Sequence, residues 1–166
     1  MRPSEPDLAW LAGIVDGEGT IGIHRTNVKS QKHPYLRPHI QIANTDLRIL
    51  EKARVILTAI TGRLHNTVVT NKGGNGQKKG YRIAANTQSA AVLLLPLLIP
   101  HLAGKREQAE LVLDFSTRRC SRTGRGAKWY EFKDQDETEY ARCLQLNRRG
   151  ESALPLAEVF ELKRSA

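Results

Sequence analysis

Apolar residues at the start of the chain first recur at helical spacing and then alternate as in a strand. The helical positions are Leu8, Leu11, Ala12 and Val15. Separations of three and four residues are typical of an amphipathic helix, and Asp7 is expected to cap its N-terminus. Ile21 and Ile23 then alternate with other residues, so a strand is expected directly after the helix.

A second strand and a second helix are expected next. Residues 35–43 (YLRPHIQIA) alternate, and Asn44, Thr45 and Asp46 supply oxygen acceptors that suit a helix N-terminus. The apolar stripe of that helix comprises Leu47, Leu50, Ala53, Leu57 and Ile60. Gly62 is expected to end the helix.

Two more strands and three more helices complete the pattern. RLHNTVVT (residues 63–70) and YRIAA (81–85) are expected strands, joined by the basic turn NKGGNGQKKG. The expected helices span residues 87–98, 105–117 and 134–148. Between the last two, CSRTGRGAKWY is either a solvated loop or a contact to a nucleic-acid backbone.

The order of these elements, α-β-β-α-β-β-α followed by further helices, predicts an α+β fold. No linker divides the chain, so residues 1–166 are expected to form a single domain.

An alternating sheet of this kind buries one face against helices and exposes the other. The exposed face is expected to carry basic and hydrogen-bonding residues, namely Gly22, His24, Thr26, Tyr35, Arg37, His39, Gln41, His65, Thr67 and Arg82. This composition fits either an ordinary solvated face or a surface that reads base edges in a DNA groove.

The chain as a whole is basic, with 26 Lys and Arg against 17 Asp and Glu, a net charge of +9 and a pI near 9.9. This balance favours a polyanionic partner, usually nucleic acid. The two cysteines form no CxxC pair. The five histidines lack the spacing of zinc sites, so no histidine metal site is expected. No secretory signal is visible, and the apolar segment 90–103 is too short to span a bilayer. We therefore expect an intracellular protein without a membrane partner.

The stretch LAGIVDGEG at residues 11–19 places glycines and acids at the end of the first helix. With the residues that follow, positions 17–22 satisfy the dinucleotide-binding pattern G-x-G-x-x-G. That pattern requires a strand before the glycines and a helix after them, whereas the order here is the reverse. A glutamate inside the loop would also repel the phosphates. The sequence therefore argues against a dinucleotide site.

Small residues recur every four positions along the same helix, at Ala9, Gly13 and Gly17. This spacing lets two helix backbones approach closely, although it also fits small core residues beneath a sheet. Asp16 and Glu18 lie at the helix C-terminus, where free carbonyls disfavour carboxylates unless a cation binds. Carboxylate and carbonyl oxygens suit Mg²⁺, so two motif copies at a close crossing would form a two-metal site for phosphodiester hydrolysis.

LAGIVDGEG resembles the LAGLIDADG motif of homing endonucleases, and the expected element order is also that of this family. NTDLRIL after the second strand and KREQAELVL at a later helix match further segments, so the resemblance extends from Leu8 to about Arg149. It implies the homing-endonuclease fold, an α+β fold with a curved antiparallel DNA-binding sheet and additional C-terminal helices.

The resemblance also implies roles for individual residues. Glu18 would be the metal-binding catalytic acid, and Gly17 would offer its backbone carbonyl to the same ion. Lys105 matches the basic residue that accompanies the active site. Asn44 and Arg48 fall where members similar to the algal intron endonucleases carry a water-organising Gln and an Arg, so both would be catalytic residues. The implied cofactor is Mg²⁺ or another divalent cation such as Mn²⁺.

Only one motif copy occurs in the chain. Single-motif members are homodimers on pseudo-palindromic double-stranded DNA, so each copy would contribute one acid. Asp16 is expected to brace the helix ends, and the dimer interface would comprise Ala9, Gly13, Asp16 and Gly17. The implied function is sequence-specific cleavage of double-stranded DNA. An intron RNA maturase and a non-cleaving DNA-binding repressor are alternatives on the same fold.

Overall fold

The computed structural model describes residues 3–27, 34–72, 76, 78–120 and 134–148 of the chain. The helices are α1 (Glu5–Glu18), α2 (Leu47–Thr61), α3 (Gln88–Leu98), α4 (Arg106–Cys120) and α5 (Asp134–Leu146), with a 3₁₀ turn at Ile99–His101. The strands are β1 (Gly19–Thr26), β2 (Tyr35–Asn44), β3 (Val68–Asn71) and β4 (Gly80–Ala84). The expected α+β order is confirmed. The expected loop CSRTGRGAKWY, beyond its first residue, and much of the turn before β4 lie outside the described residues.

The four strands form one antiparallel sheet in the order β1-β2-β4-β3. β1 runs directly from α1, and its pairing with β2 extends from Gly19 opposite Ile42 to Thr26 opposite Tyr35. β2 in turn pairs with β4, where Ile42 lies opposite Ile83. This register places Ile21 opposite Ile40, beside Ile42 and Ile83, on one face of the sheet.

The helices cover that apolar face and share one core with it. Buried side chains from α1, α2, α3, α4 and α5 and from the strands form a single cluster, in which Phe115, Leu94 and Ile21 are fully enclosed. Burial of this apolar surface is the main stabilising contribution to the fold. The other face of the sheet carries mostly polar residues.

Side chains fix the ends of the helices that flank the motif. The expected cap of α1 at Asp7 is wrong, because the N-cap is Ser4 and Asp7 is the third helical residue of a capping box. The Ser4 hydroxyl accepts from the Asp7 amide, and the Asp7 carboxylate binds back to Ser4. α2 is capped by Asp46 and ends at Gly62, whose left-handed φ of 66° suits glycine.

The third strand begins later than the sequence predicts. β3 starts at Val68, and residues 63–67 are not strand. His65 is buried instead, with Nδ1 3.0 Å from the Ala84 carbonyl oxygen and Nε2 2.8 Å from the Thr61 hydroxyl. These two contacts hold the segment against α2 and β4. The predicted place of His65 on the exposed sheet face is therefore wrong, and Thr67 lies before β3 and is half-buried.

α5 lies along the outer edge of β1, where strand backbone groups would otherwise lack partners. The Ile23 amide donates to the Cys143 thiol at 3.1 Å, and the Asn147 side chain donates to the Ile21 carbonyl at 3.1 Å. A covered edge cannot pair with a strand of another chain. α5 thus closes the sheet at β1.

Within the described part of the chain, no helix combines the length and apolar character needed to cross a membrane.

Candidate functional site

Glu18 is the last residue of α1, and its side chain is exposed. It borders an open cleft of about 300 Å³ together with the end of β2 and the start of β4. The other lining residues are Ala43, Asn44, Thr45, Thr70, Gly80 and Tyr81. Among the described residues, the Glu18 carboxylate has no hydrogen-bond or ion-pair partner. A free acid therefore stands where the helix ends.

Gly17 and Gly19, on either side of Glu18, meet different constraints. Gly17 lies in the last turn of α1, where carbonyl groups lack an intrahelical amide partner. Gly19 begins β1 so close to the preceding turn that a Cβ there would lie 2.6 Å from the Val15 carbonyl oxygen. Glycine at position 19 thus permits the abrupt change from helix to strand that exposes Glu18.

Asp16 joins the end of α1 to the start of α4. Its carboxylate accepts hydrogen bonds from the backbone amides of Ala103 at 2.7 Å, Gly104 at 3.2 Å and Lys105 at 2.9 Å. Burial acts to raise the pKa of Asp16, but these amides and the Lys105 charge hold that pKa below its usual value. Asp16 is consequently an ionised brace between two helices.

Lys105 completes this connection in the opposite direction. Its Nζ atom donates to the backbone carbonyl of Asp16, within the last turn of α1. A cation there is favourable, because the C-terminal end of a helix carries partial negative charge. The Lys105 side chain borders a second cleft, of about 440 Å³, which lies between β1, the start of α4 and the end of α5. The ammonium thus binds the chain two residues before Glu18, whereas Lys105 and Glu18 line different clefts.

Asn44 and Arg48, the two remaining candidates, differ in their relation to the Glu18 cleft. Asn44 borders that cleft, and its side-chain oxygen accepts the Asp46 amide at 2.8 Å. Arg48 is not among the lining residues. Its guanidinium binds the Asp46 carboxylate, with Nη2 2.6 Å and Nε 3.0 Å from the nearer oxygens. The hydrogen bonds from Arg48 lower the pKa of Asp46 to about 2.

The described residues contain no cluster of three or more His, Cys, Asp and Glu side chains that could hold a metal ion. A hard cation would instead find one free carboxylate, at Glu18, beside helix-terminal carbonyls such as that of Gly17. These donors suit Mg²⁺ in kind but are few for one chain.

The polar face of the sheet is the second candidate region. Cross-strand pairing places Gly22 opposite His39, His24 opposite Arg37 and Thr26 opposite Tyr35. Arg82 on β4 shares this face through its pairing with Ala43. His24, Thr26 and Arg82 are exposed, and Tyr35, Arg37, His39 and Gln41 are half-buried. Gly22 is buried instead, because a Cβ there would lie 3.2 Å from Cys143 and Asn147 at the end of α5.

Positive charge is concentrated on this face. The His24 and His39 rings lie 5.6 Å apart. The pKa of His39 is lowered by burial first, and then by His24 and the charges of Arg37 and Arg82. A side-chain hydrogen bond with Asn86 acts in the opposite direction and raises it. The guanidinium charges of Arg37 and Arg82 favour a polyanion as the ligand of this surface.

The stripe of small residues on α1 is open. Ala9, Gly13 and Gly17 are all exposed, and a Cβ at either glycine would meet no described atom within 4 Å. The alternative that these are core residues beneath the sheet is therefore wrong. The stripe is a bare strip of helix backbone that a second helix could approach closely.

Known structures agree with this architecture. The homing endonuclease I-CvuI, in complex with its target in the presence of Ca, superposes with a TM-score of 0.60 and 22% identity over 96% of this chain and 94% of that chain. The archaeal intron-encoded homing endonuclease I-Vdi141I, complexed with DNA, gives a TM-score of 0.63 and 12% identity over 97% and 96%. The chain has the LAGLIDADG homing-endonuclease fold. No family model and no curated protein matches the sequence.

Within this fold, known structures differ in how much of their length the present chain covers. It spans 94% of I-CvuI but 48% of I-GzeII, a LAGLIDADG homing endonuclease in complex with its DNA target, which has a TM-score of 0.56 and 14% identity. The chain therefore spans nearly all of the first structure and about half of the second.

Sequence reasoning missed several residues of these two regions. Thr20, Ala43 and Val68 share the polar sheet face through their cross-strand partners Gln41 and Arg82. Tyr81 borders the Glu18 cleft because it lies opposite Asn44. Strand register is the signal that places all four, and single-sequence patterns do not define it.

Proposed function

We propose that this chain is a divalent-cation-dependent, sequence-specific endonuclease that cleaves double-stranded DNA as a homodimer. The observation that carries the proposal is the free, exposed Glu18 carboxylate at the end of a helix with an open small-residue stripe. The fold supports it, since the similar structures I-CvuI and I-Vdi141I are homing endonucleases complexed with DNA. Residues 1–166 would act as a single endonuclease domain.

Pairing of two α1 helices would bring their two Glu18 residues together. Because Gly13 and Gly17 present no side chain, the helix backbones could cross at close range and place both acids at one end of the crossing. Glu18 and the Gly17 carbonyl of each copy would then hold the cation. A bound divalent cation stabilises charge that develops on a phosphate and lowers the pKa of bound water.

Other residues of the chain would support that chemistry. Lys105 would stabilise negative charge near the end of α1, and Asn44 would orient water in the cleft beside Glu18. The polar sheet face, with Arg37, Gln41 and Arg82, would bind the duplex and read its bases. Arg48 would contribute by contacting the DNA backbone.

Selection from a randomised DNA library in the presence of Mg²⁺ is the test that suits an unknown target. A single guessed target would be a poor choice, because a structure of I-CvuI with the I-CreI target in Mg contains uncleaved DNA. We expect recovery of cleaved duplexes that share one pseudo-palindromic sequence. Selective binding without cleavage would favour a repressor, and preferential binding of structured intron RNA would favour a maturase.

The catalytic role of Glu18 predicts that Glu18→Gln abolishes cleavage of the selected site while DNA affinity changes little. The substitution removes the charge that would bind the cation, whereas most binding energy comes from phosphate and base contacts. Glu5→Gln at the opposite end of α1 is the matched control and should cleave normally. Cleavage by Glu18→Gln at near the unmodified rate would remove Glu18 from the mechanism.

A further inference from the structure

The salt bridge between Asp46 and Arg48 lies beside the Glu18 cleft and carries a consequence for DNA binding. Asn44, which borders the cleft, accepts the Asp46 amide, and Asp46 in turn binds Arg48. The three residues therefore form a short chain of contacts from the cleft to the first turn of α2. Arg48 is the basic group at the outer end of this chain.

The Asp46–Arg48 pair occupies one of the guanidinium edges through which Arg48 can bind a phosphate. Nε lies 3.0 and 3.2 Å from the two Asp46 oxygens, and Nη2 lies 2.6 Å from one of them. This edge of the guanidinium is one of those that bind carboxylate and phosphate alike through paired N–H donors. The Asp46 carboxylate thus takes the place that a DNA phosphate oxygen would take.

The pair is also accessible enough for exchange. The Arg48 side chain is 91% exposed and that of Asp46 is 35% exposed. Ion pairs in such positions are weak, so an incoming phosphate could displace the carboxylate. The hydrogen bonds from Arg48 lower the pKa of Asp46 to about 2. The carboxylate therefore stays ionised, and paired with Arg48, at the near-neutral pH of a DNA-binding assay.

We propose that Asp46 is an affinity-determining residue that competes with a DNA phosphate for Arg48. The inference rests on the proposed DNA-binding function. While the pair is formed, the Nε–Nη2 edge of Arg48 is closed to a phosphate and the adjacent Asp46 carboxylate repels one, so the pair weakens binding to any sequence. Without the carboxylate, Arg48 would contact a phosphate directly.

Asp46→Asn isolates this effect because asparagine caps a helix as well as aspartate does. The N-cap bond from the Arg48 amide to the side-chain oxygen, 2.9 Å long here, can persist. We expect about two- to fivefold tighter binding of the selected duplex at a fixed salt concentration, the range that a weak exposed ion pair allows. The dependence of log affinity on log salt should also become steeper, by up to about one unit. Asp46→Ser, which keeps a capping hydroxyl, should behave alike.

A double-mutant cycle separates competition from simple removal of a negative charge. Arg48→Gln should weaken DNA binding only slightly in the unmodified protein, and at least twofold more in the Asp46→Asn background. Equal losses would mean that the two charges act independently, and a smaller loss in Asp46→Asn would mean that Asp46 orients Arg48. Either result overturns the proposal.

Glu51 and Arg54, paired at 2.8 Å on the same helix, provide the matched control. Their own cycle should show no coupling in DNA binding. If the unmodified protein binds no DNA, the proposed function itself fails. If it binds DNA and the Asp46 cycle shows no coupling, only the present inference fails.

Discussion

Lys105 joins the two helices that meet beside the proposed active site. Its backbone amide binds the Asp16 carboxylate and its ammonium binds the Asp16 carbonyl. Only the second contact depends on the side chain, so the role of the charge can be tested while the backbone brace is kept.

Lys105→Met should slow cleavage by about 10²-fold, the effect of losing one group that stabilises transition-state charge, with little change in DNA affinity. Single-turnover cleavage rates and equilibrium binding to the selected duplex measure the two quantities. A drop in affinity at an unchanged single-turnover rate would show that Lys105 only contacts a phosphate in the ground state.

Arg37 and Gln41 test the reading of bases by the sheet. Both are half-buried on the polar face of β2, which limits their rotamers and favours defined contacts. Arg37→Ala or Gln41→Ala should relax specificity at particular base pairs, by about 1–3 kcal/mol for a bidentate contact. Binding to a panel of single-base-pair variants measures this. Uniform weakening across the panel would instead identify backbone contacts.

Among the elements, α5 depends on charged contacts with α4 for its position. Asp136 on α5 is fully buried, and its oxygens lie 2.7 Å from Arg118 and 3.2 Å from Arg119. Arg118 also binds Glu139 on α5. Because Arg119 is itself buried, the carboxylate of Asp136 compensates a charge that solvent cannot reach.

Asp136→Ala should therefore lower the free energy of unfolding by about 3–5 kcal/mol, since one partner of a buried ion pair is removed. Urea denaturation followed by circular dichroism measures the change. Glu110→Ala on α4 is the control, because its pair with Arg106 is exposed and contributes about 0–1 kcal/mol. Similar effects of the two substitutions would show that the buried ion pair contributes no more to stability than the exposed one.

The sequence predicts most elements because each contains its own signal, whereas the errors arise from contacts between distant residues. The α2 stripe and Gly62 define a helix locally, and the structure confirms it. RLHNT has a strand-like pattern, but the His65 side chain turns inward and contacts Thr61 and Ala84. These tertiary contacts override the local strand propensity, so the segment is not a strand. The Glu18 position could be inferred from the motif. The pairing of Arg48 with Asp46 could not, because several rotamers of an exposed arginine are sterically open.

For the whole molecule, the open stripe on α1 predicts the assembly. Gly13→Leu has free space within one chain, since a Cβ there meets no described atom within 4 Å, and leucine is a better helix former than glycine. The variant should fold normally but separate the paired helices, giving monomers and losing double-strand cleavage together. Analytical ultracentrifugation beside a cleavage assay measures both.

Ala59→Leu, at an exposed position of α2, controls for the added apolar side chain and should remain dimeric and active. A Gly13→Leu dimer with full activity would contradict the model. An unmodified monomer that cuts both strands would contradict it as well.

The covering of β1 by α5 also determines where the protein can aggregate. With the Ile21 and Ile23 backbone groups bound to α5, strand addition at that side would first require the helix to detach. β3 forms the other border of the sheet and exposes Val68 and Val69. Variants in which α5 detaches would therefore expose β1 as a second sheet edge, besides β3, at which strands of other chains can pair. Such variants should precipitate at protein concentrations at which the unmodified chain stays in solution.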